Sequence, residues 1–96
     1  MLGIDKTNIS TSFGRIIRNL RKAANLSQEE LAFEADLQRN YISLIELGKN
    51  LPTIHVILKI GNALNIPAHR IVKMLEDQLT QEASMGTAMG TKRKKG

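Results

Sequence analysis

The stretch Leu26-Ser27-Gln28-Glu29-Glu30-Leu31 constrains the fold of this chain more than any other. Ser27 followed three residues later by Glu30 is a capping box, in which each side chain takes a backbone N–H left unsatisfied at a helix start. Leu26 and Leu31 can close over the cap as a hydrophobic staple. A helix therefore starts at Gln28, with Leu31, Ala32 and Ala35 turned inward and Asp36 taking the turn. Leu37 and Ile42 repeat the staple spacing around an N-cap at Gln38, so the next helix starts near Gln38 or Arg39. Ile42 and Ile45 form its buried stripe, and Gly48 supplies the left-handed residue that stops it. Two short helices joined by about three residues cannot lie antiparallel; they cross steeply, as a helix-turn-helix.

The remaining pattern is helical as well. Phe13, Ile16, Ile17, Leu20, Ala23 and Ala24 recur at three-and-four spacing and predict a first helix over 12–24, ended by Asn25. Pro52-Thr53 opens a fourth helix capped by Thr53, with Ile54, Ile57, Leu58, Gly61 and Leu64 as its buried set and Asn65 at its end. Gly61 there implies a modest loss of helix propensity. A fifth helix runs over 68–79, with Ile71, Val72, Leu75 and Leu79 on one side. The expected architecture is all-α, five helices in one domain over 12–80. Residues 1–11 are expected to form an irregular N-terminal arm and residues 81–96 a disordered basic tail.

Several functional classes drop out. There is no cysteine, hence no disulfide framework or thiolate site. His55 and His69 have no partner at metal-ligand spacing and read as surface histidines. Neither a phosphate-binding glycine loop nor a Gly-x-Ser-x-Gly elbow occurs. No catalytic, metal or cofactor site can be assembled, and neither an enzyme nor a small-molecule binder is expected. The apolar stretch 54–60 is broken by His55 and Lys59, far short of the about 20 residues a bilayer span needs. With no cationic and apolar leader at its start, the chain is expected to be cytoplasmic.

Charge points elsewhere. Lys and Arg number 14 against 9 Asp and Glu, for a net charge of +5. Four of the cations are Lys92, Arg93, Lys94 and Lys95, so residues 1–91 are close to neutral. A nucleic-acid face must then arise from local arrangement: Arg15, Arg18, Arg21 and Lys22 cluster, and an acidic group, Glu29, Glu30, Glu34 and Asp36, follows directly.

A helix-turn-helix leaves the start of its second helix pointing outward, and such a helix fits the major groove of B-DNA. The residues there are Gln38, Arg39, Asn40, Tyr41, Ser43 and Leu44. Arginine can bond guanine in bidentate fashion, glutamine or asparagine can do so to adenine, and leucine can pack on a thymine methyl. Gln28 and the amides beside it, with Lys49, Asn50, Arg15 and Arg18, are candidates for phosphate contact. Apolar residues near the loop before the fourth helix and on the fifth, Leu51, Val56, Ile71 and Leu75, are candidates for a two-fold homodimer interface.

The segments LSQEELA, YISLIELGK and PTIHVILKIGNAL, in that order, resemble the Xre-type (HTH_3) DNA-binding domain of bacterial and phage regulators. The resemblance extends to lambdoid repressor and Cro domains and to the controller proteins of restriction–modification systems, and covers about Phe13 to Leu79. It implies a lambda repressor-like five-helix domain that binds double-stranded operator DNA, an inverted repeat, as a homodimer and acts as repressor or autoregulator. It also implies base reading from the opening of helix 3, a phosphate contact from Gln28 and a structural role for Glu46. The chain departs from the pattern at Asp36, where glycine is usual, and at Gln38, where a Ser or Thr cap is common. The rival expectation is an antitoxin or adaptor that uses the same fold chiefly to bind another protein.

Overall fold

The computed structural model describes residues 4–90 in backbone and 4–83 in side chain. Within them are five helices and no strand: α1 Lys6–Ala23, α2 Gln28–Ala35, α3 Arg39–Glu46, α4 Ile54–Leu64 and α5 Ala68–Gly90. The caps sit where the sequence puts them. Ser27 Oγ accepts from the Glu30 N–H at 3.0 Å, and Glu30 Oε1 accepts from the Ser27 N–H at 2.8 Å. Thr53 Oγ1 accepts from the Val56 N–H at 3.3 Å. Gln38 is the N-cap of α3 but makes no side-chain cap bond. Four connections turn through left-handed residues, Asn25 (φ 59°), Asp36 (φ 56°), Gly48 (φ 76°) and Asn65 (φ 60°).

Phe13 and Ile17 of α1, Leu31, Ala32 and Ala35 of α2, Ile42 and Ile45 of α3, Ile60 and Leu64 of α4 and Ile71 of α5 form one core. α1 packs on α3 and α5, α2 on α3 and α4, and α4 on α5. Two glycines permit close crossings. A Cβ on Gly14 would overlap the Ile45 carbonyl and lie 2.8 Å from the Glu46 oxygen, so α1 meets the backbone of α3 there. A Cβ on Gly61 would lie 2.7 Å from the Ile66 oxygen. Gly61 is therefore a packing requirement of the α4–α5 turn, beyond the propensity loss expected of it.

Both ends differ from expectation. Residues 6–11 are not an irregular arm; α1 starts at Lys6, capped by Asp5, whose Oδ1 accepts from the Thr7 and Asn8 N–H groups at 2.8 and 3.2 Å. At the other end α5 continues through 81–90 instead of dissolving at 81. The two extensions support each other. Ser10, Ser12 and Leu79 are buried, and the Ser12 hydroxyl donates to Glu82 at 3.3 Å, which also accepts from Gln78 at 2.9 Å. The basic run Lys92–Lys95 lies outside the described residues.

α4 shows a further difference. Ile57, Ile60, Gly61 and Leu64 face the core, but Ile54 and Leu58 are 69% and 57% exposed. The helix carries a broad apolar arc, and the packing of α2 and α5 leaves one edge of it exposed. Ala23 and Ala24 are likewise exposed, at the end of α1.

Candidate nucleic-acid interface

Ile42 and Ile45 are fully buried and fix which side of α3 faces out. At about 100° per residue the outward face centres on Asn40, with Arg39 and Ser43 on one flank and Leu44 on the other. Gln38, Arg39 and Asn40 are exposed; Tyr41, Ser43 and Leu44 are half-buried, and the Tyr41 ring packs against the core. Gln38, Asn40, Tyr41 and Leu44 line one surface hollow of about 430 Å³ together with the α2–α3 turn. Leu47, two helical turns from Asn40, is exposed on the same face. Its seven-residue spacing from Asn40 is the signal that adds it to the candidate base-reading set.

The other flank of α3 forms a cleft of about 260 Å³ with α1 and the start of α2, lined by Arg18, Arg21, Gln28, Ser43, Glu46 and Leu47. Of the candidate phosphate residues, Arg18 and Gln28 are thus brought together beside Ser43. Arg15 is exposed nearly one turn earlier on α1 and lines neither hollow. Lys49 is exposed and Asn50 half-buried in the loop after α3. The N-terminal turn of α2 opens near this cleft with its partial positive charge.

Arg21 does not join that cationic face. It is buried, its Nε and Nη2 donating to Glu46 at 2.6 and 3.0 Å and its Nη1 to the Leu26 carbonyl at 2.8 Å. The hydrogen bond to Glu46, aided by that carboxylate's charge, raises the Arg21 guanidinium above its ordinary range against the opposing effect of burial. The periodicity placed Arg21 with its exposed neighbours; only the glutamate at the end of α3 marks it as an exception.

The acidic group stands apart. Glu29, Glu30 and Glu34 are exposed on α2 around Phe33, itself 82% exposed, and line a separate surface hollow. Duplex DNA carries one negative charge per about 1.7 Å of axis, and these exposed carboxylates do not offer it a complementary surface.

The candidate dimer residues divide. Leu51 is exposed; Val56 and Leu75 are half-buried and packed against the core. Ile71 is 0% exposed, a core residue of its own protomer, and cannot meet a partner. Ile54 and Leu58, expected inside, are exposed as Leu51 is.

Among the described residues no group of three or more His, Asp or Glu converges as a metal site, and no helix is long and apolar enough to cross a membrane. Residues 17–71 match the helix-turn-helix family HTH_3. The chain is 47% identical over 60 residues to the control protein C.BamHI of Bacillus amyloliquefaciens, spanning 62% of this chain and 74% of that one. It is 33% identical over 81 residues to the ImmF control region 10 kDa protein of Bacillus phage phi105, spanning 84% and 89%. Its fold is similar to the restriction-modification controller protein C.AhdI from Aeromonas hydrophila, with a TM-score of 0.62 and 39% identity over 64% of this chain and 92% of that one. The chain belongs to the HTH_3, Xre-type, helix-turn-helix family.

Proposed function

We propose that this protein is a sequence-specific DNA-binding transcriptional regulator that acts as a homodimer on an inverted-repeat operator, as repressor or autoregulator. The observation that carries the reading is the exposed polar opening of α3, Gln38, Arg39 and Asn40, held rigidly outward by the buried Ile42 and Ile45. In a dimer two such helices would enter successive major grooves, about 34 Å apart. Arg18, Gln28, Lys49 and Asn50 hold the backbone on either side of the groove, with Arg15 as an outlying contact. The exposed set Leu51, Ile54 and Leu58, flanked by Val56, forms the two-fold contact.

Similarity to proteins named as control proteins supports a role in regulating a restriction–modification or phage gene cluster. Selection of bound sequences from random duplexes at near-physiological salt tests the proposal. An enriched inverted repeat is expected, and recovery of unenriched DNA would refute it.

The adaptor reading has one observation in its favour, the exposed Phe33 among three glutamates, which DNA binding leaves unused. If the chain alone fails to footprint any site near its own promoter, that reading takes precedence.

A further inference from the structure

One carboxylate joins three helices. Glu46, at the end of α3, accepts from Arg21 of α1 through both oxygens, and its Oε1 also accepts from Gln28 Nε2 of α2 at 3.0 Å. A carboxylate has no hydrogen to give, so it selects one of the two orientations of the Gln28 carboxamide, the one with nitrogen toward Glu46. That nitrogen has a second hydrogen, which no other residue takes up among the described residues. Gln28 is half-buried at the rim of the cleft shared with Arg18 and Ser43. The bidentate Arg21 meanwhile cancels the charge that a bare carboxylate would present to an approaching phosphate.

Resting on the DNA-binding reading above, we propose that Glu46 is a positioning residue for the DNA backbone. It orients the Gln28 carboxamide so that one Nε2 hydrogen is anchored inside and the other is offered to a phosphate oxygen. Arg21 keeps the arrangement electrically neutral. Without Glu46 the carboxamide can flip, and its nitrogen moves by about 2 Å, outside hydrogen-bond tolerance for the same phosphate.

The test uses the full chain and its selected operator, with phosphates replaced one at a time by neutral methylphosphonate. In the wild type, one replacement is expected to weaken binding about tenfold, and that position should become silent in Gln28→Ala. Glu46→Gln should silence the same position while the base preference of the operator stays unchanged, a result that general loosening of the fold would not give. Full sensitivity at that phosphate in Glu46→Gln, or no phosphate that depends on Gln28, overturns the proposal and leaves the DNA-binding reading intact. Failure to bind any selected sequence removes both. A measurement needing no variant covers the case in which Glu46→Gln does not fold. Hydrogen exchange of the Gln28 side-chain amide should show one slowed proton in the free protein and two once operator is added. An unchanged second proton contradicts the proposal.

Discussion

Arg21 and Glu46 meet at 2.6 Å across the crossing of α1 and α3, with side chains only 10% and 4% exposed. Breaking a buried pair leaves a charge without its partner, a loss of about 3–5 kcal/mol. Arg21→Ala is therefore expected to lower unfolding stability by that amount in urea titration. Replacing both members, Arg21→Met with Glu46→Leu, should recover most of it, because the desolvation of both charges disappears with them. A loss below about 1 kcal/mol in the single variant would mean that water replaces the pair without strain.

Gly14→Ala separates propensity from packing. In an open helix the change stabilises by about 1 kcal/mol. Here the added Cβ would run into the backbone oxygens of Ile45 and Glu46, which cannot rotate away as a side chain would. A destabilisation of about 3 kcal/mol is expected from thermal unfolding. A stabilised variant would show that α1 and α3 do not meet backbone to backbone at Gly14.

Asp36→Gly should act in the opposite direction. Asp36 holds φ at 56°, which favours glycine. Its carboxylate is 98% exposed and 3.7 Å from Lys59, a pair of little worth. The Lys59 bond to the Asp36 carbonyl survives the change. A gain of about 0.5–1 kcal/mol is expected in chemical denaturation, and a loss would show that the Asp36 side chain stabilises the turn.

Much of this was readable in advance, and the reasons differ from place to place. The four left-handed turns and the caps at Ser27 and Thr53 follow from local chemistry that no tertiary contact overrides. The orientation of α3 follows from Ile42 and Ile45, its two fully buried residues, which stand at helical spacing. The start of α1 is weakly marked because the buried residues of its first two turns, Ser10 and Ser12, are small and polar, and Ile9 is the one apolar residue there, half-buried. Asp5 was a usable cap signal there. In α4 the apolar arc is broad, with Ile57, Ile60 and Leu64 at its centre and Ile54 and Leu58 at one edge, and the packing of α2 and α5 leaves that edge exposed. The Arg21–Glu46–Gln28 cluster spans three helices, so spacing within any one of them cannot show it.

Leu58→Glu tests the proposed two-fold contact. Leu58 is exposed, so the variant should fold as the wild type does by circular dichroism. Burying a carboxylate against its symmetry mate is unfavourable. Sedimentation equilibrium should show monomer where the wild type is dimer, with operator affinity reduced at least about tenfold as the half-sites uncouple. A variant that remains dimeric would move the interface elsewhere.

The most direct test of the account is the base preference of Arg39→Ala, measured across every single-base variant of the selected operator. The expected result is a loss of about 1–3 kcal/mol on the preferred sequence, with discrimination erased at one position in each half-site and kept at the others. Equal weakening on every sequence would contradict it, since Arg39 would then hold the backbone, and the opening of α3 would not be reading bases.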